Sequence, residues 1–71
     1  MNEIEIPDGL KEIARGRDVL LIEDVSLATN TAQQTIRKSL CLKGNFEGLI
    51  PKKIAGRWNF KTIDIARLIN G

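Results

Sequence analysis

The chain has no histidine, no tyrosine, one cysteine and only three other aromatic residues, one Trp and two Phe. Without histidine or a second cysteine, the common zinc ligand sets and the usual Ser–His or Cys–His nucleophile pairs lack their parts. A lone cysteine, Cys41, also excludes an internal disulfide framework. No glycine-rich phosphate loop is present. The one adjacent pair of acids, Glu23-Asp24, suits the first turn of a helix better than acid–base chemistry. No enzyme activity, metal, cofactor or small-molecule ligand is therefore expected. No apolar run is long enough for a transmembrane helix, and Met1-Asn-Glu-Ile-Glu5 lacks the basic start of a signal peptide. The expected compartment is a reducing cytoplasm, with no membrane partner.

Of the 71 residues, 42% are hydrophobic, an ordinary share for a globular chain, and the length suits one domain over residues 1–71. A single core of this size gives about 3–5 kcal/mol of net stability and leaves little room for a catalytic cavity. There is no internal repeat and no low-complexity tract. The formal charge of +2 conceals a split. Residues 1–24 hold seven acids (Glu3, Glu5, Asp8, Glu12, Asp18, Glu23, Asp24) and three bases, a net of −4. Residues 25–71 hold eight bases (Arg37, Lys38, Lys43, Lys52, Lys53, Arg57, Lys61, Arg67) and two acids, a net of +6. A polyanion would be drawn to the second part and repelled by the first, although such charges are also ordinary solvated surface.

Glu3-Ile-Glu-Ile6 alternates like a short strand and stops at Pro7. Asp8 can cap a helix carrying Leu10, Ile13 and Ala14, which Gly16 can end. Val19-Leu-Leu-Ile22 is an apolar run of ambiguous type leading into Glu23-Asp24. The helix that follows would turn Val25 and Ala28 inward, with Leu27 a further candidate. It should stop near Thr29-Asn30, because asparagine tolerates the left-handed conformation of a tight turn.

A basic helix comes next, with Thr31 or Asn30 as its cap: Thr31 with Gln34 matches a capping box, and Asn30 with Gln33 has its spacing. Ile36 and Leu40, four apart, define its buried side. Gln34, Lys38 and Cys41 project opposite, flanked by Gln33 and Arg37, and this surface holds no acid. Glutamine can contact adenine bidentately from the major groove, and arginine guanine. Gly44 closes the helix. Phe46 anchors the loop, and Leu49-Ile50 should tuck under the core before Pro51. Lys52-Lys-Ile54 and Arg57-Trp-Asn-Phe60 flank Ala55-Gly56, whose glycine supplies the positive φ of a tight hairpin. Alternation places Trp58 and Phe60 on one face and Arg57 and Asn59 on the other. Trp58 can serve either the core or as a stacking platform for bases. Thr62 to Ile69 carries Ile65, Leu68 and Ile69 at helical spacing.

This order of elements resembles the winged helix-turn-helix DNA-binding domains of the excisionase and MerR-like group. Glu23-Asp-Val25 is similar to that group's acids-plus-Val opening, and Thr35-Ile-Arg-Lys38 to its Thr-Val-Arg-Arg helix. Ile50-Pro51, Gly56-Arg-Trp-Asn-Phe60 and Asp64 stand at its later landmarks, so the resemblance covers about residues 20–69. The chain departs from the pattern in placing Asn30, Thr31 and Ala32 where the group has Gly, Val and a Ser cap. Its link from Leu40 to Pro51 is longer and its wing one residue shorter. Residues 1–18 form an acidic extension outside the resemblance.

The resemblance implies a mainly α fold with a small β-hairpin wing (α+β). It implies a sequence-specific binder of double-stranded DNA from a phage or mobile element, acting as an architectural factor or small transcriptional regulator. Gln33, Gln34, Arg37 and Lys38 would approach base edges, and Thr31 and Thr35 phosphates. Lys52, Lys53, Arg57 and Asn59 would lie along a neighbouring backbone or minor groove, and Lys61 would be either a phosphate contact or solvated. The domain fills the chain, so no effector domain is expected. Cooperative self-association on DNA, or contact with a recombinase, would complete its action. The alternative expectation is a protein-interaction module that keeps a winged scaffold and binds an acidic protein partner.

Overall fold

The computed structural model describes residues 6–71, in the order α1 (Asp8–Ala14), β1 (Val19–Leu20), α2 (Ile22–Thr29), α3 (Gln33–Lys43), β2 (Lys52–Ile54), β3 (Arg57–Lys61) and α4 (Thr62–Asn70). The fold is α+β: four helices and an antiparallel three-stranded sheet of order β1-β3-β2. The strand expected over Glu3–Ile6 lies outside the described residues except for Ile6, which packs on the core without joining a strand. None of the described helices is long and apolar enough to cross a membrane.

Helix α1 begins at Asp8 rather than being capped by it. Pro7 holds the cap position, and its carbonyl accepts the first helical hydrogen bond, from Lys11 N–H at 2.9 Å. Leu10 and Ala14 enter the common core, so the described part of the acidic extension is packed into the domain. Arg15 ends the helix in left-handed geometry. Arg17 then folds back, its Nε donating to Ala14 O (2.8 Å) and its Nη2 to Ile13 O (2.9 Å), while Nη2 lies 3.3 Å from Asp24 Oδ1. Asp24 Oδ2 in turn accepts from Leu21 N–H at 3.0 Å, so one carboxylate caps α2 and ties it to α1.

The apolar run at 19–22 divides between two elements. Val19 and Leu20 pair with Lys61 and Phe60 as a third strand, and Ile22 opens α2. On α2, Ile22 and Val25 are buried and Ala28 partly so, but Leu27 is 71% exposed. Two residues beyond Val25 is a turn of about 200° around a helix, which carries Leu27 to the solvent side. Asn30 takes the expected left-handed conformation (φ 53°).

Helix α3 is capped by neither Asn30 nor Thr31; Ala32 stands at its N-cap without a side-chain bond. Both polar candidates serve the turn instead, Asn30 by ending α2 and Thr31 by donating its hydroxyl to Thr29 O at 3.2 Å. The long link to β2 is a miniature hairpin. Phe46 and Leu49 exchange N–H···O bonds of 2.9 Å around Glu47 and Gly48, both at positive φ. Ser39 Oγ pins it to α3 by donating to Asn45 O at 2.7 Å. Ile50 does not tuck under the core: it is 82% exposed, and the buried residue is Pro51, since extended backbone alternates its faces.

Leu20, Val25, Ile36, Phe60 and Ile65 fill the centre, with Phe46 edge-on to Phe60 at 6.4 Å between centroids. Strand β3 runs directly into α4. Thr62, buried at that junction, donates its hydroxyl to Arg17 O and its N–H to Asp18 O, both at 2.8 Å.

Candidate nucleic-acid interface

Helix α3 buries Ile36 and Leu40 and leaves Gln34, Thr35, Arg37, Lys38, Cys41 and Leu42 exposed, with Gln33 half-buried. The two apolar residues, four apart, require this division: once they face the core, 34, 38 and 41 face away. Leu42, exposed beside these polar groups, was not singled out by periodicity.

The hairpin's register sorts its side chains by face. Lys52 pairs with Asn59 and Ile54 with Arg57, while Lys53 pairs with Trp58. Cross-strand partners share a face. Lys53 therefore sits over the Trp58 ring, its Nζ 5.1 Å from the centroid, while Lys52, Ile54, Arg57 and Asn59 occupy the other face. Trp58 is half-buried against the core, which accounts for its position without a stacked base. Asn59 is also half-buried, and its Nδ2 donates to Arg57 O at 2.8 Å.

Arg37 and Arg57 border the same groove. Together with Gly56, Trp58 and the start of α2 (Leu21, Ile22, Glu23) they line one groove of about 230 Å³. This groove joins α3 to the hairpin. Thr31 and Thr35 are not brought to it; they line a second groove, of about 440 Å³, beside Phe46, Glu47 and Leu68. Lys61 lines neither, but a third groove beside α1. That third groove, of about 550 Å³, has Ile6, Ala14, Val19 and Ile63 on its walls, and its Arg17 and Thr62 are already bonded within the fold.

The cations of this surface are unneutralised. Among the described residues the ion pairs are Arg17–Asp24 and Arg67–Asp64, so Arg37, Lys38, Lys52, Lys53 and Arg57 have no acid partner. No cluster of three or more His, Cys, Asp or Glu able to hold a metal occurs among the described residues. Glu23 is the member that sequence reasoning missed as part of the site. Its place in the first turn of α2 was legible, but its position beside Arg37 and Arg57 depends on how α2, α3 and the hairpin pack. Comparison with family models, curated proteins and solved structures returns no match.

Proposed function

We propose that the chain binds double-stranded DNA in a sequence-specific manner, with α3 in the major groove and the β2–β3 hairpin serving as the wing of a winged helix-turn-helix. The observation that carries this reading is the groove lined by both Arg37 and Arg57, where α3 and the hairpin each contribute a cation with no acid partner. A protein surface that holds such charges without counter-charges favours a polyanion. Gln33, Gln34, Arg37 and Lys38 supply the donors and acceptors of α3, while Lys52, Lys53, Arg57 and Asn59 supply mainly charge along the adjoining backbone. Thr31 and Thr35, on the opposite flank of α3, are placed for an outlying phosphate at most. An excisionase-like architectural role or promoter control both follow from occupying and bending a site without chemistry, in association with further copies or a recombinase.

Titrating duplexes selected from a random pool, at several salt concentrations, tests this. Log affinity should fall linearly with log salt, with a slope of about −0.9 per phosphate neutralised, hence about −4.5 if each of these five cations neutralises its own phosphate. If no duplex binds above the non-specific level even at low salt, the reading fails.

A further inference from the structure

The groove between α3 and the hairpin has a chemistry that neither element has alone. Arg37 comes from the flank of α3 and Arg57 from the first position of β3, and both residues line the same opening. Among the described residues, neither side chain donates a hydrogen bond or joins an ion pair. Glu23 shares the groove yet lies within salt-bridge distance of neither arginine, so both forks remain free. The opening of about 230 Å³ has room for a tetrahedral oxyanion and a few waters. Two arginines brought to one groove by separate elements suit a group with several acceptor oxygens rather than the edge of a single base.

We propose that this groove seats one phosphate of the DNA backbone, held between Arg37 and Arg57, and that Arg37 is therefore a backbone clamp and not a base reader. The inference rests on the DNA reading above and sharpens it. Base discrimination then belongs to the outer face of α3, to Gln34 and Lys38. The phosphate at the groove sets how far α3 and the hairpin can shift relative to the duplex.

The test uses the full chain and its selected duplex, with Arg37→Ala, Arg57→Ala and the double variant. Thermal melting first establishes that each variant folds as the parent does, as substitution of exposed side chains should allow. Each single substitution should weaken binding by roughly 10- to 100-fold, the range for a charge-assisted contact. The selected base sequence should not change for either. Each single variant should keep the parent's salt slope, because one arginine still neutralises the phosphate, whereas the double variant should be shallower by about 0.9. A series of duplexes, each with one phosphate replaced by an uncharged methylphosphonate, should contain one member on which both substitutions become nearly silent. If Arg37→Ala relaxes preference at one base pair, or if different phosphates silence the two substitutions, the shared seat is refuted while DNA binding stands. If the parent binds no duplex specifically, both the seat and the DNA reading fall.

Discussion

The β2–β3 turn offers a quantitative test of the backbone geometry on which the hairpin depends. Ile54 pairs with Arg57 across a two-residue loop, and both loop residues have positive φ, 51° at Ala55 and 78° at Gly56. This is the pattern of a type I′ turn, whose twist matches that of the strands. Glycine adopts it freely, but alanine pays about 1–2 kcal/mol for its Cβ in the left-handed region. Ala55 is exposed, so replacing it removes no packing. Ala55→Gly should relieve the strain but return about 0.4–1 kcal/mol through the looser unfolded chain. Ala55→Asn tolerates the left-handed region and keeps the unfolded chain stiffer, so it should gain about 0.5–1 kcal/mol net. For a domain of this size that corresponds to a rise in Tm of about 2–8 °C. Gly56→Ala is the opposing control. A Cβ there meets nothing within 4 Å, so the loss is the backbone strain less the about 0.4–1 kcal/mol that alanine returns by stiffening the unfolded chain, and about 1 kcal/mol net should disappear. Thermal melts followed by circular dichroism would read all three. A Tm for Ala55→Asn at or below the parent's, together with a neutral Gly56→Ala, would refute the turn geometry.

Three other perturbations probe different joints. Thr62→Val deletes the hydroxyl that bonds Arg17 O, and should lower the urea midpoint by the equivalent of about 1 kcal/mol at unchanged m, with Thr62→Ser retaining most of it; an unmoved midpoint for Val denies the bond its role. Asp24→Ala removes both the acceptor for Leu21 N–H and the partner of Arg17, and should cost about 1 kcal/mol in the same assay, whereas Asp24→Asn, which keeps an acceptor, should cost less. Cys41, exposed on α3, is a built-in reporter of the proposed interface. Its maleimide labelling should slow about tenfold with specific duplex at about ten times Kd, and labelling at the free rate would move the interface away from that face.

The parts of the fold legible in the sequence were those written in local periodicity or in turn chemistry. Ile36 and Leu40 oriented α3, Asn30 marked the end of α2, Gly44 closed α3, and Ala55-Gly56 centred the hairpin. What could not be read depended on distant partners. Val19–Leu20 is a strand only because Lys61 and Phe60 lie beside it. The Phe46–Leu49 bridge has Glu47 at positive φ, where sequence preference points to asparagine or glycine. The start of α3 was misplaced because Asn30 and Thr31 both match caps locally, yet the preceding turn uses both. The candidate site divided in the same way. The exposed residues of α3 followed from its buried stripe, but the shared groove of Arg37, Arg57 and Glu23 arises from packing among three elements.

The absence of any loop between β3 and α4 has a mechanical consequence. Phe60 is fixed in the core, Lys61 ends the strand, and Thr62, already in the helix, is bolted to the backbone of residues 17 and 18. The hairpin thus projects from a clamped root, like a cantilever, and cannot swivel unless α4 moves with it. A stiff projection gives up little freedom when it meets a ligand, because that freedom was already surrendered during folding. If the hairpin is the proposed wing, loosening its root should shorten the life of the proposed DNA complex: the same contacts would have to be held by an arm that wanders.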